Sequence, residues 1–565
     1  MRCRNCATAL VALGALWAAT GRMPQFVDIA GKAGLNDVFY CGSDTAKKYI
    51  IEALGGGVAL IDYDNDGFLD VFFVTGSRLE GFPAGQEPTN RLYRNNHDGT
   101  FTQTTSDAGL GQSGWGQGVC AGDYDNDGNI DLFVTYYGKN HLYRNTGNGR
   151  FVDVTQAAGL VEDARWSTGC AFVDYDKDGK LDLFIAEYIV FDQEKVPLPG
   201  TSPNCKWKGE PVMCGPKGLP GGTNRLFHNE GGGRFRNVSK SSGIASAGAR
   251  YSMSVTPLDF NHDGWLDIYV AVDSQPSLLF RNNRDGTFTD VAVEAGVAYS
   301  EDAREQSGMG SAAGDFDGDG QLDLVKTNFI DDTSNLYRNN GDGTFEEIVH
   351  RSGMGRNTKY MGWGVGFLDF DNDGWPDIFM VNGHVYPEIE SKIPSSFYRE
   401  SSLLYRNLEG KKVEDVSESA GPGVTARHSA RGLALGDYDN DGNVDIFINN
   451  MNERPSLLRN GVSGGHFVSL TLVGSKSNRS AIGARVSLFA GGRRQVQEVR
   501  SGSTFMSQSD LRLHFGLGAA GKLDRIEIEW PYPKSSEVIS GFQADQFVTI
   551  TEGRGVTGTR EYHGR

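Results

Sequence analysis

The stretch Asp62-Tyr63-Asp64-Asn65-Asp66-Gly67-Phe68-Leu69-Asp70, followed by Val71-Phe72-Phe73-Val74, decides the fold. It sets carboxylates at its first, third, fifth and ninth positions and a glycine at its sixth. The apolar run after it is rich in the β-branched and aromatic residues that suit a buried strand. The pattern returns with first residues Asp123, Asp174, Asp259, Asp315, Asp369 and Asp437. A second landmark, Leu92-Tyr93-Arg94-Asn95, returns at Leu142, Leu226, Leu279, Leu336 and Leu404, and in reduced form as Leu458-Arg459-Asn460. A third, an aromatic strand running into a small-residue turn, starts at Phe26 and returns at Phe101, Phe151, Phe235, Phe288 and Phe345, with a weaker copy at Val413. Each landmark occurs seven times in the same order, and chance does not supply three patterns in phase.

A unit of about 50 residues holding four short strands has the size of a propeller blade. The expected fold is therefore all-β: a seven-bladed β-propeller over residues 26–460. Five residues before each acidic loop stand Gly57, Gly118, Gly169, Ser254, Gly310, Gly364 and Gly432. A small residue at that phase predicts a crowded innermost strand. A linear solenoid is the competing architecture, but it needs atypical capping units at its ends, and neither end has one. Insertions at 36–56, 186–223 and 381–402 break the period, and long loops on a rigid scaffold are where binding concentrates. After Gly461 the acidic loop disappears. Alternating stretches such as Val468-Ser-Leu470-Thr-Leu472 and Ile526-Glu-Ile528-Glu-Trp530 predict a small antiparallel β-domain with one buried face over 466–553, then a tail at 554–565.

Acids at alternate positions ahead of a sharp glycine turn wrap oxygens around a point, and an oxygen-only site suits calcium better than zinc or copper. The candidate ligands are Asp62, Asp64, Asp66 and Asp70; Asp123, Asp125, Asp127 and Asp131; Asp174, Asp176, Asp178 and Asp182; Asp259, Asn261, Asp263 and Asp267; Asp315, Asp317, Asp319 and Asp323; Asp369, Asp371, Asp373 and Asp377; and Asp437, Asp439, Asp441 and Asp445. An EF-hand would need a bidentate Glu at position twelve. Phe73 and Val134 stand there in the first two loops, so that reading fails. Asp/Asn/Gly clusters also form plain turns, but a plain turn has no use for the acid at the ninth position. Up to seven calcium ions are expected, in a structural role.

The formal net charge of −18 excludes a basic face for nucleic acid and argues against anionic membrane surfaces. The basic start, the apolar run Ala7–Ala19 and the small residues near Gly21 read as a signal peptide over 1–21. No later segment approaches transmembrane length, so a secreted, periplasmic or extracellular protein is expected, and a monomer. Cys205 and Cys214 bracket a Gly/Pro/Lys loop and form a plausible disulfide in an oxidising compartment. Cys120 and Cys170, at strand ends, read as buried thiols, and Cys41 is assigned nothing.

The repeats resemble the FG-GAP/VCBS type of integrin-like propellers, and their acidic loops match that family's calcium loops. Asn261 and Pro376 are mild departures. Asn478-Arg-Ser-Ala-Ile-Gly-Ala484, His514-Phe-Gly-Leu-Gly518 and Trp530-Pro531 are similar to the ASPIC/UnbV domain, with Tyr532-Pro533 a departure. Propeller plus this domain is the layout of the cartilage acidic protein family, which has many bacterial members. The Cys205…Cys214-Gly-Pro insertion also resembles those bacterial members. The resemblance implies a secreted calcium-binding protein and no known reaction.

The reading that follows is a non-enzymatic scaffold for a protein or glycan ligand, with integrin-like cell adhesion as one form of it. The alternative is a propeller enzyme or biosynthetic accessory protein, of lyase or oxidoreductase type, with its site in the insertions. The chain has no nucleophile elbow, zinc motif or phosphate loop. His384 is expected at the surface of its insertion. The recurring Arg/Asn pairs are expected to be structural.

Overall fold

A computed structural model describes residues 25–161, 163–462 and 464–562. The expected signal peptide lies outside them. The chain is all-β, with helical turns of only three or four residues. No helix among the described residues is long and apolar enough to cross a membrane.

The repeated unit is an antiparallel sheet whose strands neighbour one another in chain order. The first is Val58–Ile61, Asp70–Phe73, Arg91–Asn95 and Phe101–Gln103. The acidic loop is the connection between its first two strands, and Ile61 pairs with Asp70 across it. The same order holds for the sheets that start at Ser252–Leu258, Gly308–Gly314 and Gly362–Leu368. The units that start at Trp115–Gly122 and Arg165–Val173 are fused into one eight-stranded sheet through Trp166 opposite Tyr137. In the sheet of Ala430–Gly436, Asp445–Asn450 and Ser456–Asn460, the outer place is taken by Phe26–Asp28, with Phe26 opposite Asn460. The beginning of the repeat array is thus paired with its end.

The small residues before the loops are explained by crowding between first strands. A Cβ on Gly118 would stand 2.5 Å from the Thr168 carbonyl oxygen, one on Gly310 at 2.1 Å from that of Trp363, and one on Gly432 at 2.7 Å from that of Gly56. In the first two cases the obstacle is the backbone of the next unit's first strand, and in the third it lies just ahead of the strand Val58–Ile61. Second strands fill the space between sheets: Phe72, Phe133, Phe184, Tyr269, Phe379 and Phe447 are buried.

The C-terminal part holds two four-stranded sheets. Alternation again buries one face: Val486, Leu488, Ile526 and Ile528 are inaccessible to solvent. Two expectations are corrected here. The domain is not purely antiparallel, because His466–Val473 runs parallel to Gln546–Thr551. The long connection between them, which builds the second sheet, permits that direction. The residues read as a tail form the strand Gly555–Glu561, paired antiparallel to Gln546–Thr551. Its polar, largely exposed pattern hides it from hydrophobic periodicity.

The sequence also gave no sign of how the two parts meet. Residues 501–509 of the C-terminal part insert among the innermost strands of the repeats. Val119 N–H donates to the Met506 carbonyl at 3.0 Å, Ser311 N–H to that of Thr504 at 3.2 Å, and Leu60 N–H to that of Gln508 at 3.0 Å. Thr504 Oγ1 reaches the Leu433 carbonyl at 2.5 Å, and the Phe505 ring packs edge-on to Trp363 at 4.9 Å. One short segment therefore touches innermost strands from most of the units.

Candidate metal centres

Each acidic loop is wound by its own backbone. In the first, Asp62 accepts the N–H groups of Asp66 at 3.0 Å and Gly67 at 2.9 Å. Gly67 has φ 87° and Asn65 has φ 58°. The fourth position shares this left-handed geometry in the other loops, at Asn126, Lys177, His262, Gly318, Asn372 and Asn440. Asparagine tolerates it best after glycine. That requirement explains the fourth-position Asn, which the sequence reading left without a role.

The ninth-position acid is a clamp. Asp70 accepts Tyr63 N–H at 3.2 Å and Asn95 N–H at 2.8 Å, tying the loop to the third strand. Asp131, Asp182, Asp267, Asp323 and Asp377 bind the corresponding pairs of N–H groups, and Asp445 binds Asn460 N–H at 2.8 Å. The Arg of the second landmark covers the third and fifth acids: Arg94 lies 2.7 Å from Asp64, Arg406 2.5 Å from Asp371 and Arg459 3.0 Å from Asp441. In the third unit His228 takes that place, 3.2 Å from Asp176. The expected structural role of the Arg/Asn pairs is what these contacts describe.

The carboxylates converge. Ligand atoms of Asp62, Asp64 and Asp66 lie within 4.8 Å of one another, as do those of Asp123, Asp125 and Asp127, of Asp174, Asp176 and Asp182, and of Asp315, Asp317 and Asp323. Burial, reinforced by the neighbouring acids, raises the pKa of the first- and ninth-position carboxyls. Asp62 is pushed to about 6, Asp123 and Asp315 to about 7, and Asp70 and Asp437 to about 8. The third-position oxygens test whether a cation fits. Oδ1 of Asp64, Asp125, Asp176 and Asp371 is buried and has no hydrogen-bond partner. Such groups are costly unless a donor or cation meets them. A hard divalent ion beside three acidic side chains meets that need.

The fourth loop differs. Asn261 accepts the N–H of Asp263 at 3.2 Å. Glu498, from the C-terminal part, adds its negative charge beside Asp259 and is itself held by Arg485 at 3.0 Å. Loop periodicity cannot find Glu498, because it lies outside the repeat. The C-terminal part meets other loops too: Arg512 donates to the Asp437 carbonyl at 2.7 Å, and Arg493 to that of Gly374 at 2.7 Å.

Outside the loops, Cys205 and Cys214 stand at disulfide distance and Cys41, Cys120 and Cys170 are buried thiols. His384 is not a surface residue. It is 0% exposed, packed 4.8 Å from the Trp207 ring, and burial holds its pKa down at about 3. The insertions fold onto one another, so a residue in a long loop is covered by the next loop.

Models of the FG-GAP-like repeat match residues 62–134, 123–185, 214–270, 259–326 and 328–380, together half of the chain, and the ASPIC and UnbV model matches 474–557. Cartilage acidic protein 1 of Homo sapiens is 27% identical over 323 residues, covering 54% of this chain and 45% of that protein. The Mus musculus protein of that name is 26% identical over 310 residues, covering 53% and 44%. The chain thus matches a little under half the length of these curated relatives. Among solved structures, an Agrocybe aegerita lectin that recognises non-reducing terminal N-acetylglucosamine aligns with TM-score 0.37 and 16% identity, over 70% of this chain and 88% of the lectin. An exotype rhamnogalacturonan lyase aligns with TM-score 0.30 and 12% identity, over 89% and 91%. From the phased acidic loops, the sheets they connect and the extent of the repeat match, the chain belongs to the FG-GAP-like repeat family and carries an ASPIC and UnbV domain at its C-terminal end.

Proposed function

We propose that residues 26–460 close into a seven-bladed ring, that each blade holds one calcium ion in its acidic loop, and that the protein is exported to serve as a binding scaffold for a protein or glycan ligand. Ring closure is supported by a chain of amide bridges. Asn145 donates to the carbonyl of Tyr63 in the preceding loop, Asn229 to Tyr124, Asn282 to Tyr175, Asn339 to Phe260, Asn407 to Phe316 and Asn460 to Phe370. Asn95 of the first unit donates to Tyr438 of the last, at 2.9 Å.

The observation that carries the calcium reading is the partnerless, buried third-position oxygen, repeated at one phase of the loop. The four side chains named for each loop would hold the ion, except that the ninth acid acts first as a backbone clamp. The ion would neutralise like charges and fix the loop, with no chemistry of its own. Export rests on the apolar N-terminal run and on the cysteine pair. Native mass spectrometry of the protein after removal of residues 1–21 tests the reading. Seven calcium ions lost stepwise to chelator are expected; no bound calcium, or calcium exchanged freely for magnesium, would refute it.

A further inference from the structure

The acidic loops leave the C-terminal ends of the innermost strands, and the C-terminal part covers them there. The opposite ends carry a cavity of about 300 Å³, in which the three insertions meet over the starts of the innermost strands. Ile50 comes from the first insertion, Tyr188 and Met213 from the second and Tyr386 from the third, while Met309 and Trp363 come from the strands below. Trp363 is the residue against which Phe505 packs from the inserted segment. Trp363 thus touches both the cavity and the inserted segment.

Its lining is largely apolar and aromatic, with Asn204, Lys217, Ser274 and Ser307 as polar members and Asp273 as its one carboxylate. Asp273, 8% exposed, accepts Tyr188 O–H at 2.7 Å and Ser274 O–H at 2.8 Å. Its neighbours are hydroxyls, and no ion pair joins it to a basic group among the described residues. Lys217, exposed at the rim, is the nearby cation whose field reaches it. Burial raises the pKa of Asp273, and the field of Lys217 offsets this only in part. Arg431 is also near, but its guanidinium is stacked 3.9 Å over Trp363 and bound to the carbonyls of Ala53, Gly383 and Ala430. A neutral guest would leave Asp273 uncompensated. A cationic guest would pair with it beside Tyr386, an aromatic ring of the kind that attracts cations. Pockets of this size, largely apolar with a few polar groups, are those that take small ligands.

We propose that this cavity binds a ligand carrying a protonated amine on an apolar body, with Asp273 as its counter-ion and Tyr188 and Tyr386 beside it. The proposal rests on the scaffold reading of the insertion face and gives it a ligand class. Calorimetric titration of the full chain in calcium, with phenethylamine, phenethyl alcohol and hydrocinnamate as probes, tests it. The amine is expected to bind at least about tenfold more tightly than the alcohol or the carboxylate, a difference that one charge-assisted hydrogen bond supplies. Asp273→Asn should abolish the preference, while Tyr188→Phe, which keeps the ring, should retain it. Equal affinity for alcohol and amine, or unchanged amine binding by Asp273→Asn, overturns the proposal. So does the absence of amine binding by a protein that still melts in a calcium-dependent way, a result that leaves the scaffold itself standing.

Discussion

At the scale of the residue, acids of one loop divide into two kinds. Asp70 spends both oxygens on backbone N–H groups, whereas Asp64 keeps one buried oxygen without a partner. The two therefore respond differently to calcium. Asp70→Asn turns an NH2 donor toward one of two fixed N–H donors and should lower stability by about 1–3 kcal/mol with or without the ion. Asp64→Asn should matter mainly when calcium is present, because its exposed pairing with Arg94 contributes little. Chemical denaturation of both variants with calcium and with chelator separates them. His384 supplies a pH test. Its folded pKa of about 3 lies below the unfolded value, so the unfolded chain binds the extra proton and stability is lost as pH falls below about 6.5. His384→Gln should melt with a shallower acid decline than the parent between about pH 6.5 and pH 4. The acids were legible because their spacing states the chemistry. The burial of His384 was not, because it depends on Trp207 from another insertion.

At the scale of the element, the third strand of each unit does two jobs. In most units its Arg covers the acidic loop, with His228 in that place in the third, and its Asn reaches the carbonyl of the loop before it. Asn145→Ala would leave the carbonyls of Tyr63 and Ile130 short of a donor. A cost of about 1–3 kcal/mol is expected from urea unfolding, with no loss of metal ligands. The inserted segment 501–509 is the other joint. Phe505 is fully buried against Trp363, so Phe505→Ala should cost about 3–5 kcal/mol and expose 501–509 to protease. The repeated Asn was visible in the sequence as a motif, but its partner was not, since the bond crosses from one unit to the next. The inserted segment, Ser501-Gly-Ser-Thr-Phe-Met-Ser-Gln-Ser509, reads as an ordinary polar loop. It is ordered by the strands around it and carries no periodicity of its own.

At the scale of the whole molecule, many buried acids of one sign are held in a chain of net charge −18. Without a bound cation these groups repel, which favours the unfolded chain. Extracellular calcium sites bind with dissociation constants around 10⁻⁴–10⁻³ M. At tenfold excess over such a constant each site adds about 1.4 kcal/mol, and a full ring about 10 kcal/mol. That is as large as the stability of many domains. Chelator should therefore lower the calorimetric melting temperature by well over about 5 °C. A shift below about 2 °C would show that the acids are turn-formers only.

The sequence by itself determined the repeat, its strands, the acidic loops and the change of character after Gly461. Each of these is written locally, in spacing that a few neighbouring residues enforce through strand alternation and turn geometry. The tertiary structure alone decided that Phe26–Asp28 pairs with the sheet of Ser456–Asn460, that Gly555–Glu561 is a strand, and that 501–509 enters the repeats. It also decided that three unrelated insertions enclose Asp273. These outcomes depend on backbone groups and surfaces hundreds of residues apart finding each other, and no local pattern encodes the partner.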